Sequence, residues 1–121
     1  MTEKQLQELT NQITDTWKMN PVLAKIMPEE LMPDLTGAVA LWTEDGDIIV
    51  LNSLITNSNV GFDYILNVVY HELAHLYTRK SDNDVEFQLF CKLNNIWLNQ
   101  NEDNIWNGEP HEIQAKYEDY E

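Results

Sequence analysis

The chain has 121 residues, 43% of them hydrophobic, which suits one compact domain and leaves no room for two. Seven basic residues stand against 21 acidic ones, a formal net charge of -14. That balance argues against a protein that grips nucleic acid or an anionic membrane through its own surface, and suits either a basic partner or a merely solvated acidic surface.

The N-terminal Met-Thr-Glu-Lys-Gln lacks the apolar core of a signal peptide, and no apolar run approaches the roughly 18 residues that a membrane span needs. Thr2 and Gln5 have capping-box spacing, and Leu6, Leu9, Ile13 and Trp17 then recur on one helical face. Pro21 stops that helix, and Asn20-Pro21 is read as the start of a short second helix through Ile26. Pro28 and Pro33 bracket an irregular connection. From Gly37 the character changes: Ala38 to Thr43 and Ile48 to Leu51 are β-type runs joined through Asp45-Gly46, a hairpin signal. The uninterrupted apolar run from Ile48 to Leu51 predicts a strand covered on both faces. Thr56 to Gly61, rich in Asn and Ser, reads as a loop.

A long helix is predicted from Phe62 to Thr78, with Phe62, Ile65, Leu66, Val69, Leu73 and Leu76 as its core-facing stripe. Arg79 and Lys80 complement its C-terminal dipole. The next helix runs from Asp82 or Asp84 to Leu98 and is expected to bury Val85, Leu89, Phe90, Leu93, Ile96 and Trp97. It carries Cys91, the only cysteine, read as a buried structural thiol. A single cysteine permits no intramolecular disulfide and no cysteine-only metal site, and fits a reducing compartment, so a cytoplasmic protein is expected. Asn99 to Gly108 is polar and turn-forming, and Pro110 opens a last helix on which Ile113, Tyr117 and Tyr120 recur.

The chemistry lies in Val69-Tyr70-His71-Glu72-Leu73-Ala74-His75-Leu76, an H-E-x-x-H pattern late in the strongly amphipathic helix. Residues four apart on an α-helix point the same way, so His71 and His75 can offer two imidazole nitrogens to one metal ion. Glu72 lies beside the pair without needing to bind the metal, and can take a proton from a water that the metal activates. Two of the three histidines in the chain are spent on this motif. The expected cofactor is one Zn²⁺ per chain.

Catalytic zinc commonly takes three protein ligands and keeps one position open. Two zones can supply the third. One is Glu112 on the last helix, where Ala115 three residues on would let that helix approach closely; Glu112 can equally pair with Lys116 at i,i+4. The other is Asp82, Asp84 and Glu86, which also suit helix capping. The reading favours Glu112, with the acidic cluster second and His111 a lesser candidate.

The motif after a β-hairpin resembles the small intracellular zincins, notably the SprT-like and ImmA/IrrE-like metallopeptidases, over roughly Gly37 to Tyr77. Glu112-Ile113-Gln114-Ala115 is similar to the E-x-x-A pattern of the glutamate-zincin branch. No histidine lies between His75 and His111, where SprT-like proteins supply a third one, so the resemblance is to the broad class. It implies an α+β fold: a minimal zincin-like domain spanning residues 1–121, with an N-terminal helix, a small β-sheet with a hairpin, the HExxH helix and two C-terminal helices. It also implies a zinc metallopeptidase acting on an intracellular protein or peptide, a basic one by charge complementarity, with Ile48 to Leu51 or Ala38 to Thr43 pairing with the substrate backbone. No membrane partner and no direct nucleic-acid binding are expected. The alternative is an acidic binding or inhibitory module, of the nucleic-acid-mimic kind found on mobile elements, built on a zincin scaffold. A purely structural zinc site has no use for a glutamate after the first histidine.

Overall fold

The computed structural model describes residues 1–32, 37–57 and 61–98. Helix α1, Glu3–Trp17, begins on the expected capping box: the Thr2 hydroxyl accepts from the Gln5 N–H at 3.1 Å, and Gln5 Oε1 accepts from the Thr2 N–H at 2.8 Å. Leu6 and Ile13 are buried, with Leu9 and Trp17 packed at the margin of the core.

Residues 22–27 are not the short helix expected after Pro21. They form strand β1, Val22–Met27, parallel to β3 from Val22↔Asp47 to Met27↔Asn52. Val22 and Ala24 are buried while Leu23 is exposed, the two-residue period of a strand. Six residues are too few for helical and strand periods to separate clearly, and pairing with β3 decides between them. Helix α1 also satisfies the outer edge of β1. Gln7 Nε2 donates to the Val22 carbonyl and Gln7 Oε1 accepts from the Ala24 N–H, both at 2.8 Å, and Glu3 Oε2 accepts from the Ile26 N–H at 3.0 Å. Between Pro28 and Met32 a single 3₁₀ turn, Glu29–Leu31, fills the irregular connection.

The hairpin is present as strands β2, Ala38–Thr43, and β3, Gly46–Asn52. Its loop is Glu44-Asp45, one residue earlier than expected, since Thr43 pairs with Gly46. Neither loop residue has a positive φ; Gly46, at 131°, takes the conformation that a side chain would disfavour. The sheet order is β1-β3-β2, so β3 is central. As predicted, it is covered on both faces. Ile49 and Leu51 face the main core, while Val50 joins Met32 and Val39 on the other side. Ala24, Ala38 and Ala40 on the core side let α1 and α3 lie close to the sheet. The start of the expected loop, Thr56 and Asn57, instead ends a short helix α2, Ser53–Asn57, opened by Asn52 Oδ1 accepting from the Leu54 N–H.

Helix α3, Phe62–Thr78, has the predicted bounds. Ile65, Val69, Leu73 and Leu76 are buried as expected, Leu66 is half-buried, and Phe62 is exposed at the first turn. The opposite face is buried too, because α4, Val85–Leu93, packs over His71, Ala74 and His75. This helix turns a different side inward from the one expected. Phe87 and Cys91 are buried, whereas Val85, Leu89 and Leu93 are 74%, 55% and 75% exposed. It also stops at Leu93, where Asn94 Nδ2 donates to the Phe90 carbonyl and Asn95 takes φ 57°. Phe87→Ala is therefore expected to destabilise the protein by about 3–5 kcal/mol and Leu93→Ala by no more than about 0.5 kcal/mol, read from urea unfolding midpoints.

Trp17 joins the helices by stacking on Tyr70 and meeting Tyr77 and Phe90 edge-on. The architecture is thus α+β, with the N-terminal helix, small mixed sheet, HExxH helix and following helix in the order expected of a minimal zincin-like domain. The last predicted helix, from Pro110, lies outside the described residues. Among the described residues no helix is long and apolar enough to cross a membrane.

Candidate metal centre

His71 and His75 lie one turn apart on α3, both buried, with ring centroids 4.8 Å apart. Each ring is turned by its Nδ1. His71 Nδ1 is 2.8 Å from the Trp97 carbonyl, and His75 Nδ1 is 2.9 Å from the Lys80 carbonyl. A carbonyl can only accept, so each Nδ1 carries the proton and each Nε2 presents a lone pair. Phe87 sets the ring planes, stacking on His75 at 4.0 Å between centroids and 2° between planes, and meeting His71 edge-on.

The two Nε2 atoms are 3.2 Å apart and meet a third electron-rich atom, Asp82 Oδ1, at 3.3 Å from His71 and 3.0 Å from His75. With bonds of about 2.0–2.2 Å, a tetrahedral zinc ion has ligand-to-ligand edges of roughly 3.3–3.6 Å, so the observed triangle is close to one face of that tetrahedron. Asp82 Oδ1 is buried and has no hydrogen-bond donor among the described residues. Two lone pairs and a carboxylate oxygen converging at this distance repel one another unless a cation sits among them. The donor set, two imidazoles and one carboxylate, is one that zinc accepts, and the three residues form a group able to hold a metal ion.

The local electrostatics point the same way. Burial would raise the Asp82 pKa, but its contacts with both imidazoles outweigh that and hold it below the usual carboxylate range. Burial opposes protonation of His71, yet Asp82 and the Glu72 charge together raise its pKa. His75 is lowered, by burial first and by its neighbour His71 as well.

Glu72 is 1% exposed, and its Oε2 has no hydrogen-bond partner among the described residues. Burial pushes its pKa up to about 8; His71 opposes the shift and Asp82 adds to it. A divalent cation in the adjacent triangle would draw it back towards the carboxylate. A buried carboxyl group with an uncommitted oxygen beside a ligand set is suited to carrying a proton.

The sequence-stated candidates divide as follows. His71, Glu72 and His75 come together as expected. Asp82, from the second zone, completes the triangle. Asp84 is the N-cap of α4, its carboxylate accepting from the Glu86 N–H at 2.8 Å, and Glu86 is exposed in the first turn. Glu112 and His111 lie outside the described residues. Cys91 is buried beneath the site, its thiol pushed up to about 12 by burial and by the charges of Asp82 and Glu72, which fits a structural thiol and not a nucleophile.

The orienting carbonyls of Lys80 and Trp97 could not be read from the sequence, since every residue has a carbonyl. Asn67 holds the second one in place, its Oδ1 accepting from the Trp97 N–H at 2.8 Å. If a metal binds only the folded cluster, zinc at about 1,000 times its Kd adds roughly 4 kcal/mol of stability. Thermal denaturation should then show a Tm rise of roughly 10–20 °C on zinc addition, reversed by a chelator. Comparison with known proteins finds no family model, no curated protein and no solved structure that matches this chain.

Proposed function

We propose that this chain is a zinc-dependent metallopeptidase, binding one zinc per chain and hydrolysing peptide bonds of an intracellular protein, with Glu72 as general base. The observation that carries this reading is the convergence of His71 Nε2, His75 Nε2 and Asp82 Oδ1 within 3.0–3.3 Å, beside the buried Oε2 of Glu72, which has no hydrogen-bond partner among the described residues. Zinc held there supplies Lewis acidity, which makes water nucleophilic near neutral pH and polarises a carbonyl under attack. Glu72 Oε2 takes the proton from the attacking water and returns it to the leaving nitrogen. The imidazoles keep their orientation because their Nδ1–H groups are committed to backbone carbonyls.

For substrate binding, β3 is unsuitable, since it is paired along both edges by β1 and β2. The outer edge of β1 is occupied by Gln7 and Glu3. Among the described strands that leaves β2, Ala38–Thr43, as the one to add an extended substrate backbone. The charge of -14 supports a basic substrate, and the single buried thiol supports a cytoplasmic setting. Nothing in the site favours the acidic-module alternative, for which neither the ligand triangle nor the buried glutamate has a purpose.

The test is metal content by mass spectrometry together with cleavage of an unfolded basic protein, an unfolded acidic protein serving as comparison. One zinc per chain and chelator-sensitive cleavage, faster on the basic protein, is the expected result. A chain that takes up zinc without cleaving either protein would move the site to a structural role. A chain that takes up no zinc or other transition metal would remove the metal centre altogether.

A further inference from the structure

We propose that Arg79 is a positioning residue for the metal centre: gripped by Asp47 and Trp42 on the sheet, it fixes the turn that sets His75 and delivers Asp82. The inference rests on the metal-centre reading above and adds to it the hairpin residues Asp47 and Trp42, remote from the ligands in sequence. Arg79 is the residue at which α3 ends. Its N–H donates to the His75 carbonyl at 2.8 Å, and its backbone then takes φ 56°, a left-handed conformation that residues with a side chain seldom adopt.

That reversal has two consequences. The next residue, Lys80, turns its carbonyl back to His75 Nδ1 at 2.9 Å, and three residues after Arg79 the Asp82 carboxylate meets both Nε2 atoms. Had the helix continued, residue 82 would have moved along the helix axis and away from His71 and His75. The second and third parts of the site therefore depend on one backbone conformation at one residue.

The side chain of Arg79 ties that residue to the hairpin. Its Nη1 and Nη2 donate to the two carboxylate oxygens of Asp47, at 2.8 and 2.9 Å, and the guanidinium carbon lies 5.6 Å from the Trp42 ring centroid. Asp47 is only 10% exposed at its side chain. Asp47 and Trp42 face each other across β3 and β2, so the anchor is one cross-strand pair of the sheet. A planar fork that matches a carboxylate at two points and also lies over an aromatic ring fixes orientation, which a point charge does not. Arg79 is about as exposed as Lys25, at 47% against 48%, but the ion pair between Lys25 and Glu3 spans 3.7 Å at one point, its carboxylate is 46% exposed, and neither partner adjoins the site.

The test uses the whole chain and titrates it with cobalt(II) and with zinc, reading affinity by chelator competition and coordination geometry from the cobalt visible spectrum. Arg79→Ala is expected to weaken both metals by about 10–100-fold, the usual loss when a group that orients ligands is removed, and to alter the cobalt spectrum. Asp47→Asn should reproduce both effects, and the double variant should be no worse than either alone, because they break one contact. Arg79→Gly keeps the left-handed turn accessible while removing the fork, so it too should lose affinity. Lys25→Ala should leave both readouts unchanged.

Wild-type affinity and spectrum in Arg79→Ala and Arg79→Gly, with the wild type binding metal, would overturn the positioning role and leave the metal centre standing. Additive losses in the double variant, or wild-type behaviour in Arg79→Gly alone, would also overturn it, by showing that the fork is not the link. Failure of the wild type to bind either metal would overturn the metal centre and this inference together.

Discussion

Replacing Glu72 by glutamine is expected to lower turnover by about 10²–10⁴-fold while leaving metal uptake intact. The substitution keeps the shape of a fully buried side chain and removes only its capacity to accept and return a proton. Glu72 is not among the three residues whose ligand atoms converge, so the zinc content of the variant should equal that of the wild type. The measurement is a pair: zinc per chain by mass spectrometry, and the rate of cleavage at saturating substrate. Retained zinc with lost cleavage assigns Glu72 to the proton transfer. Retained zinc with unchanged cleavage removes it from the mechanism, and lost zinc means that it holds the metal instead.

The second large effect is expected at Asp82. Asp82→Ala opens one corner of the ligand triangle and should weaken zinc binding by more than the 10–100-fold typical of groups that only orient ligands. His75→Ala should abolish binding, since it also removes the ring on which Phe87 stacks. Glu112→Ala belongs in the same series, because the E-x-x-A pattern singled it out and it lies outside the described residues. A loss confined to His75→Ala and Asp82→Ala makes Asp82 the third protein ligand on its own. A loss in Glu112→Ala as well makes the site one of four protein ligands, which is a closed, structural arrangement. A loss in Glu112→Ala with none in Asp82→Ala would reverse the assignment.

These two predictions differ in how far the sequence alone supports them. Glu72 and the two histidines were legible because their relation is local: five consecutive residues on one helix, where a spacing of four gives the histidines a shared face. The helix itself was legible to the residue at both ends, from an apolar stripe long enough for its period to be unambiguous. The start of α1 was legible from its capping box, and the hairpin from two apolar runs flanking a turn, though its loop lies one residue earlier than the turn signal.

What the tertiary structure decided is in each case a contact between distant residues. Val22–Met27 is a strand because β3 pairs with it along its length, whereas its own six residues suit either form. In α4 two apolar stripes compete, and the inward one, Phe87 and Cys91, is chosen by the imidazoles and Ala74 that it covers. Asp82 could be read as a cap or as a ligand, and Asp84 shares that ambiguity; the left-handed turn at Arg79 separates them by sending Asp82 back to the histidines and leaving Asp84 to cap α4. By itself the sequence determined the chemistry available, two imidazoles and a proton carrier on one helix face. Only the fold decided which carboxylate meets them and which carbonyls orient them, because those depend on where the chain turns, and a turn is set by what holds it in space.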